Sequence, residues 1–157
     1  MANTKSKIEW TQSTWNPITG CTKVSPGCKY CYAERMAKRL QAMGKPAYQN
    51  GFQVTIHEDI FDYPIHLKTP RLIFVNSMSD LFHPDVPEAF IQQVFEVMID
   101  TPRHQYQVLN KRSKRLAQLA PKLPWPDNVW LGVSVETQKY AFKVDHLRAV
   151  PAALRFA

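Results

Sequence analysis

Cys21, Cys28 and Cys31 lie within eleven residues, and no cysteine follows in the remaining 126. An odd number of thiols does not complete a disulfide framework, and the N-terminal MANTKSKIEW has no apolar core of a secretion signal. Three thiols this close, two of them a C-x2-C pair, read as metal ligands, because the thiolate is a soft donor for iron and zinc. The missing fourth cysteine narrows the choice. A closed zinc site needs four ligands, and an ordinary [4Fe–4S] cluster takes four thiolates. Three thiolates on a four-iron cluster would leave one iron open to a substrate or cofactor. For zinc, a histidine would have to complete the set, and His57, His66, His83, His104 and His146 are the candidates, none with local ligand spacing. Either way the three sulfurs are expected to converge on one ion or cluster.

The elements that position these thiols follow from hydrophobic periodicity. Tyr32, Ala33, Met36, Ala37, Leu40 and Met43 recur at helical spacing, and Gly44 and Pro46 end that helix. Residues 45–70 read as irregular or hairpin-like, with Tyr48, Phe52, Val54 and Ile56 in partial alternation. Leu72–Val75 is an apolar run, the mark of a strand covered on both faces. A helix then carries Phe90, Ile91, Val94, Phe95 and Met98, with Asp85 as its cap and Pro87 in its first turn. Gln105–Leu109 is a strand, Ser113 caps a short helix with Leu116 and Leu119, Val129–Val135 is a strand, and Thr137–Ala149 is a helix. Leu154–Ala157 begins another strand, and an extended stretch precedes the cysteines. Strands alternating with helices imply βαβ units and a parallel sheet. The predicted class is α/β, a parallel βα-repeat of about four to five strands in one domain spanning 1–157. The cysteines then occupy a βα loop, at about 16–32, on the sheet edge where such folds build active sites.

The 157 residues suit one domain, and 45% hydrophobic with 21% charged residues is ordinary globular composition. No apolar run approaches the ~20 residues that cross a bilayer, so the expected compartment is the cytoplasm, with no membrane partner. Neither GxGxxG nor GxxxxGK[ST] occurs, which removes the common phosphate-loop readings. The net charge of +7 is segregated: residues 1–48 hold eight Lys/Arg against two Asp/Glu, 49–100 two against eight, 101–123 six against none, and 124–157 four against three. Such segregation points to an anionic partner such as nucleic acid, against the alternative of a solvated basic surface. Lys111, Arg112, Lys114 and Arg115 crowd a helix start, where cations oppose the helix dipole unless an anion sits there. Trp10, Trp15, Trp125 and Trp130 could stack bases or pack in the core.

Cys28-Lys29-Tyr30-Cys31 resembles the C-x-aromatic-C half of the radical S-adenosylmethionine (radical SAM) signature. The longer string from Trp15 through Cys21 to Ala33 is similar to the spore photoproduct lyase-like branch of that superfamily. It is closer still to a phage and bacterial family of uncharacterised proteins named for a three-cysteine motif. Phe74–His83, Val108–Arg112 and Gly132–Glu136 share that likeness, which runs from about residue 7 onward. Two departures stand out. Six residues separate Cys21 from Cys28 where the superfamily has three, and the insert contains the turn pair Pro26-Gly27. The loop after Val75 also lacks the superfamily's Gly-Gly-Glu.

The resemblance implies a partial (β/α) barrel of radical SAM type, incomplete at the C-terminal end. It implies a [4Fe–4S] cluster held by Cys21, Cys28 and Cys31, with S-adenosylmethionine on the open iron. Electron transfer from a donor of unidentified kind would cleave the sulfonium and generate a 5′-deoxyadenosyl radical, the cofactor supplying the hard chemistry. Tyr30 would pack near the adenine, and Asn76, Ser77, Ser79 and Asp80 would face the methionine amino group. Lys111, Ser134 and Glu136, at the ends of later strands, would line the same rim. The substrate is open, with nucleic acid one class. Two other readings stand beside this one: a non-enzymatic, zinc-stabilised nucleic-acid-binding module, and an inactive scaffold acting with a partner protein encoded beside it.

Overall fold

The computed structural model describes residues 6–157. Strand β1 (Ser13–Trp15) is buried at every position, as expected of a parallel strand covered on both faces. β2 (Ile18–Thr19) follows and pairs antiparallel with β3 (Thr55–Ile56) in a separate two-stranded ladder. Helix α1 (Tyr32–Ala42) lies between them in sequence, and the single turn α2 (Tyr63–His66) follows β3. From there strands and helices alternate: β4 (Leu72–Val75), α3 (Glu88–Asp100), β5 (Gln105–Asn110), α4 (Ser113–Leu119), β6 (Val129–Val133), α5 (Phe142–Arg148) and β7 (Leu154–Phe156). From β4 onward the order of elements is the one read from the sequence, whereas the β2–β3 pairing across α1 and the turn α2 differ from the irregular or hairpin-like stretch expected over 45–70.

Five strands form the main sheet in the order β1-β4-β5-β6-β7, every neighbouring pair parallel. Each crossover therefore advances one strand in the same direction, and right-handed crossovers of that kind stack their helices on one face. The core has that arrangement. Ile73 and Val75, Tyr106 and Val108, and Val129, Leu131 and Val133 pack with the apolar stripe of α3 (Ile91, Val94, Phe95, Met98) and with Leu116 and Leu147. On the opposite face Phe74 packs against Trp10, ring centroids 4.7 Å apart, and Trp130, Leu154 and Phe156 line a shallow groove. Trp15 is fully buried, with its indole N–H donating to the Ile60 carbonyl, and Trp125 packs edge-on against Phe95. Trp15 is a core residue, unavailable to stack a ligand, and Trp125 is partly buried against the core. Among the described residues no helix is long and apolar enough to cross a membrane.

Helix starts differ from the sequence reading. Asp85 does not cap α3. Pro87 occupies the cap position in an extended conformation, and the helix begins at Glu88. Ser113 is the first helical residue of α4 and its hydroxyl bonds His146 Nδ1 at 2.8 Å, so no cap is formed. The helix expected over Thr137–Ala149 is split into a 3₁₀ turn at Gln138–Tyr140 and α5. In that turn Tyr140 and Ala141 donate to the carbonyls of Thr137 and Gln138, three residues back, which winds the chain more tightly than an α-helix. Two of the four cations of residues 111–115 are engaged within the protein. Arg112 donates to the Thr22 carbonyl and hydroxyl, both at 2.9 Å, and Arg115 donates to the carbonyls of His83 and Val86. Those bonds engage both guanidinium groups, although Arg112 Nε is buried with no partner.

Candidate functional site: a three-cysteine cavity

Gly20 delivers Cys21. Its φ of +88° lies in the left-handed region, and a Cβ there would stand 2.1 Å from the Gln53 carbonyl oxygen, so only glycine fits. Gly20 donates to the Met78 carbonyl and Cys21 to the Phe52 carbonyl, which threads the chain between the segment around residue 52 and the loop after β4. The Pro26-Gly27 pair forms a 3₁₀ turn that ends at Cys28, with the Cys28 N–H donating to the Ser25 carbonyl. Cys31 then takes the N-cap position of α1. That helix rests on Tyr48 and Met78 through Ala33 and Ala37, with Met36 and Leu40 partly buried beside them, while Tyr32 and Met43 are exposed.

All three thiols are free, Cys28 buried and the other two partly exposed, and all three line one cavity of about 250 Å³. That is near the small end of ligand pockets, roughly 300–1,000 Å³. It opens at the carboxyl ends of the parallel strands. Asn76, Ser77, Ser79 and Asp80 reach it from the loop after β4, Asn110 and Lys111 from the end of β5, and Ser134 from the end of β6. Tyr30 lies at its edge, 76% exposed, with the Lys29 ammonium over its ring. Glu136 stands apart: it does not line the cavity, and its two carboxylate oxygens are taken by Ser25 (2.8 Å) and Lys143 (3.3 Å).

The polar groups in the wall divide into those already bonded and those left unpaired. Ser77 donates to Asn16 Oδ1 and Ser79 to the Ile18 carbonyl. Asp80 accepts from the Phe82 and Lys111 backbone N–H groups, both at 2.9 Å. Asn76 is different. It is 2% exposed, neither atom of its amide has a partner, and it is the one described non-glycine residue with positive φ, at +59°. A buried, unpaired amide on a left-handed residue is an arrangement that costs free energy and is kept where a site needs it. Asn110, equally buried, donates through Nδ2 to the Gly132 carbonyl but leaves Oδ1 unpaired. Neither Asn16 nor Asn110 was singled out by sequence reading, although Asn16 sits in the Trp15–Cys21 string and Asn110 beside Lys111 in the Val108–Arg112 string.

Electrostatics differ from thiol to thiol. Burial and the neighbouring Asp80 push Cys21 up from the ordinary thiol value, against the pull of Arg112. Burial also pushes Cys28 up, but the backbone at Val24 and Ser25, the Ser25 hydroxyl and the charge of Lys111 together outweigh it and hold this thiol below its ordinary value. Burial raises Asp80, opposed by its two backbone donors.

Among the described residues no three His, Cys, Asp or Glu side chains stand together closely enough for a single ion. The thiols share a cavity wall, and convergence on one ion, expected from their spacing, is not the arrangement found. The histidines that could complete a zinc site are engaged elsewhere. His57 bonds Thr19, His66 bonds Asp62, His83 bonds Thr22, His104 bonds the Pro64 carbonyl and His146 bonds Ser113. A four-iron cluster makes a looser demand, because each sulfur meets a different iron at a different corner. The three free thiols lining one cavity are donors of the type such a cluster takes.

Fold and site together define a parallel α/β protein with a three-cysteine cavity at the carboxyl edge of its sheet. A family model described as "Protein of unknown function (DUF5131)" matches residues 5–157, and the chain belongs to that family. No curated protein and no solved structure matches it.

Proposed function

We propose that this protein is a radical SAM-like iron–sulfur enzyme whose cluster is held by Cys21, Cys28 and Cys31 in a partial-barrel setting. The observation that carries this reading is the cavity itself: three free thiols and the unpaired amide of Asn76 meet at the carboxyl ends of parallel strands. A [4Fe–4S] cluster held there would supply, with one electron from an external donor, reductive cleavage of S-adenosylmethionine to methionine and a 5′-deoxyadenosyl radical. The chain's own residues bind and shield. Cys28 and Cys31 are presented by a proline-started turn and the start of α1. Phe52 and Phe74 give the cavity apolar wall that limits water. Asn76 offers a donor pair and an acceptor to a polar ligand group, the role expected of the loop after the second strand of the sheet. Three unpaired thiols suit a reducing, cytoplasmic setting.

The test is anaerobic reconstitution of the full chain with iron and sulfide, followed by addition of S-adenosylmethionine and dithionite as the electron donor. The expected result is about four irons per chain and release of 5′-deoxyadenosine. Stoichiometric zinc with no iron uptake would favour the metal-stabilised binding module. Iron uptake without cofactor cleavage would favour an inactive scaffold working with a partner protein.

A further inference from the structure

We propose that Glu136 is a positioning residue for Cys28: with Lys143 behind it, its side chain fixes the turn that presents this thiol. Four observations converge on it. The Ser25 hydroxyl donates to Glu136 Oε1 at 2.8 Å across 111 residues of sequence. Gly27 lies flat against the same side chain, since a Cβ at Gly27 would stand 2.4 Å from Glu136 Cγ and 2.6 Å from Oε1. Lys143, 2% exposed, donates from Nζ to Glu136 Oε2 at 3.3 Å and to the Ser134 carbonyl at 3.0 Å. Ser25 Oγ stands 3.9 Å from Cys28 Sγ. The Ser25 hydroxyl therefore stands between the carboxylate and the thiol.

A buried ion pair returns little net stability, because desolvation of both charges offsets their attraction. Its consequence here is geometric. The loop after β6 and helix α5 grip the residues on the N-terminal side of Cys28, while α1 grips Cys31 on the other. Cys21 is held independently, by Gly20 and the Phe52 carbonyl. Loss of the Glu136 contact should therefore release one thiol and leave another in place. This inference concerns the metal-free chain and stands whichever group the thiols hold.

The test is the alkylation rate of each cysteine by iodoacetamide in the native, metal-free full chain, resolved by peptide mass spectrometry. A buried thiol reacts through local opening. Glu136→Ala is expected to speed Cys28 about tenfold, the factor that one lost hydrogen bond of ~1.4 kcal/mol gives, with Cys21 unchanged. Glu136→Gln keeps an acceptor for Ser25 and the packing on Gly27, and is expected to restore Cys28 to within about twofold of the parent. Should Glu136→Ala fail to fold because Lys143 is left buried and unpaired, the double variant Glu136→Ala/Lys143→Met removes both charges and gives the same comparison. Equal acceleration of all three thiols, or an unchanged Cys28 rate, would overturn the assignment.

Discussion

The backbone N–H of Lys111 donates to Oδ2 of Asp80 at 2.9 Å, so one buried carboxylate joins the loop after β4 to the loop after β5. The other oxygen accepts from Phe82, which folds the first loop back on itself. Two walls of the cysteine cavity thus share a single side chain. Asp80→Asn keeps the shape but turns an N–H toward one of the two donors. The expected cost is about 1–3 kcal/mol, the penalty of a buried donor left unpaired. A urea titration measures it, and an unchanged midpoint would mean that the bridge contributes nothing to folding.

Asn76 separates stability from ligand recognition. A non-glycine residue in the left-handed region costs roughly 1–2 kcal/mol, and asparagine tolerates it better than most. Asn76→Gly is expected to hold or raise the melting temperature, while Asn76→Ala lowers it by the equivalent of about 1 kcal/mol. Both remove the unpaired amide. If the amide serves a ligand, both variants lose S-adenosylmethionine affinity to a similar degree in calorimetry, despite opposite effects on stability. Unimpaired affinity in Asn76→Gly would remove Asn76 from the site.

Gly20→Ala tests the delivery of Cys21. The added methyl meets a backbone carbonyl, which cannot swing aside as a side chain can, and φ is positive as well. The expected loss is about 3 kcal/mol or more, with iron uptake falling in parallel. Parent-like melting and iron content would show that the chain passes Gln53 by another route.

Cys31→Ala removes one of three cluster ligands. The reconstituted variant is expected to lack the brown iron–sulfur absorbance and to release no 5′-deoxyadenosine, with melting of the metal-free chain changed little, since Cys31 is only partly buried. A zinc site would give the reverse pattern, chiefly a loss of stability, because structural zinc binding is coupled to folding. Full iron content in the variant would dismiss Cys31 as a ligand.

Burial lowers the pKa of His57, His83 and His104 from the ordinary histidine value of 6.5. The folded chain therefore binds fewer protons at these sites than the unfolded chain as pH falls through 6.5. Their contribution to stability is complete above that pH and is lost on descending toward the lower folded values. Asp80, raised by burial, works in the opposite sense, adding stability as pH falls through its raised value toward the ordinary 3.8. Melting temperature is expected to fall between pH 7.5 and pH 5.5, and His104→Gln, which removes one titrating ring, to flatten that fall. An increase in melting temperature over this window would contradict the sign.

Much of this architecture is legible in the sequence because it rests on local signals. Leu72–Val75 and Val129–Val133 are strands since a short apolar run has little else to form between turn residues. Helix α1 follows from its spacing and from Gly44, and the thiols fall at a turn marked by Pro26-Gly27. The tertiary structure decided wherever a side chain's partner lies far along the chain. Ser113 has the chemistry of a cap, but His146 takes its hydroxyl. Arg112 and Arg115 look like a free basic patch, but both also donate to backbone carbonyls, of Thr22 and of His83 and Val86. Glu136 ends a strand segment whose polar tip reads as part of the cavity rim, yet it grips Ser25 and Lys143. Asn110 gives no local signal at all, and only the alignment of β5 beside β6 leaves its side-chain Oδ1 buried and unpaired. Periodicity reports which face of an element is buried. Which polar group meets which depends on the register of strands tens of residues apart, and that is fixed only when the sheet assembles.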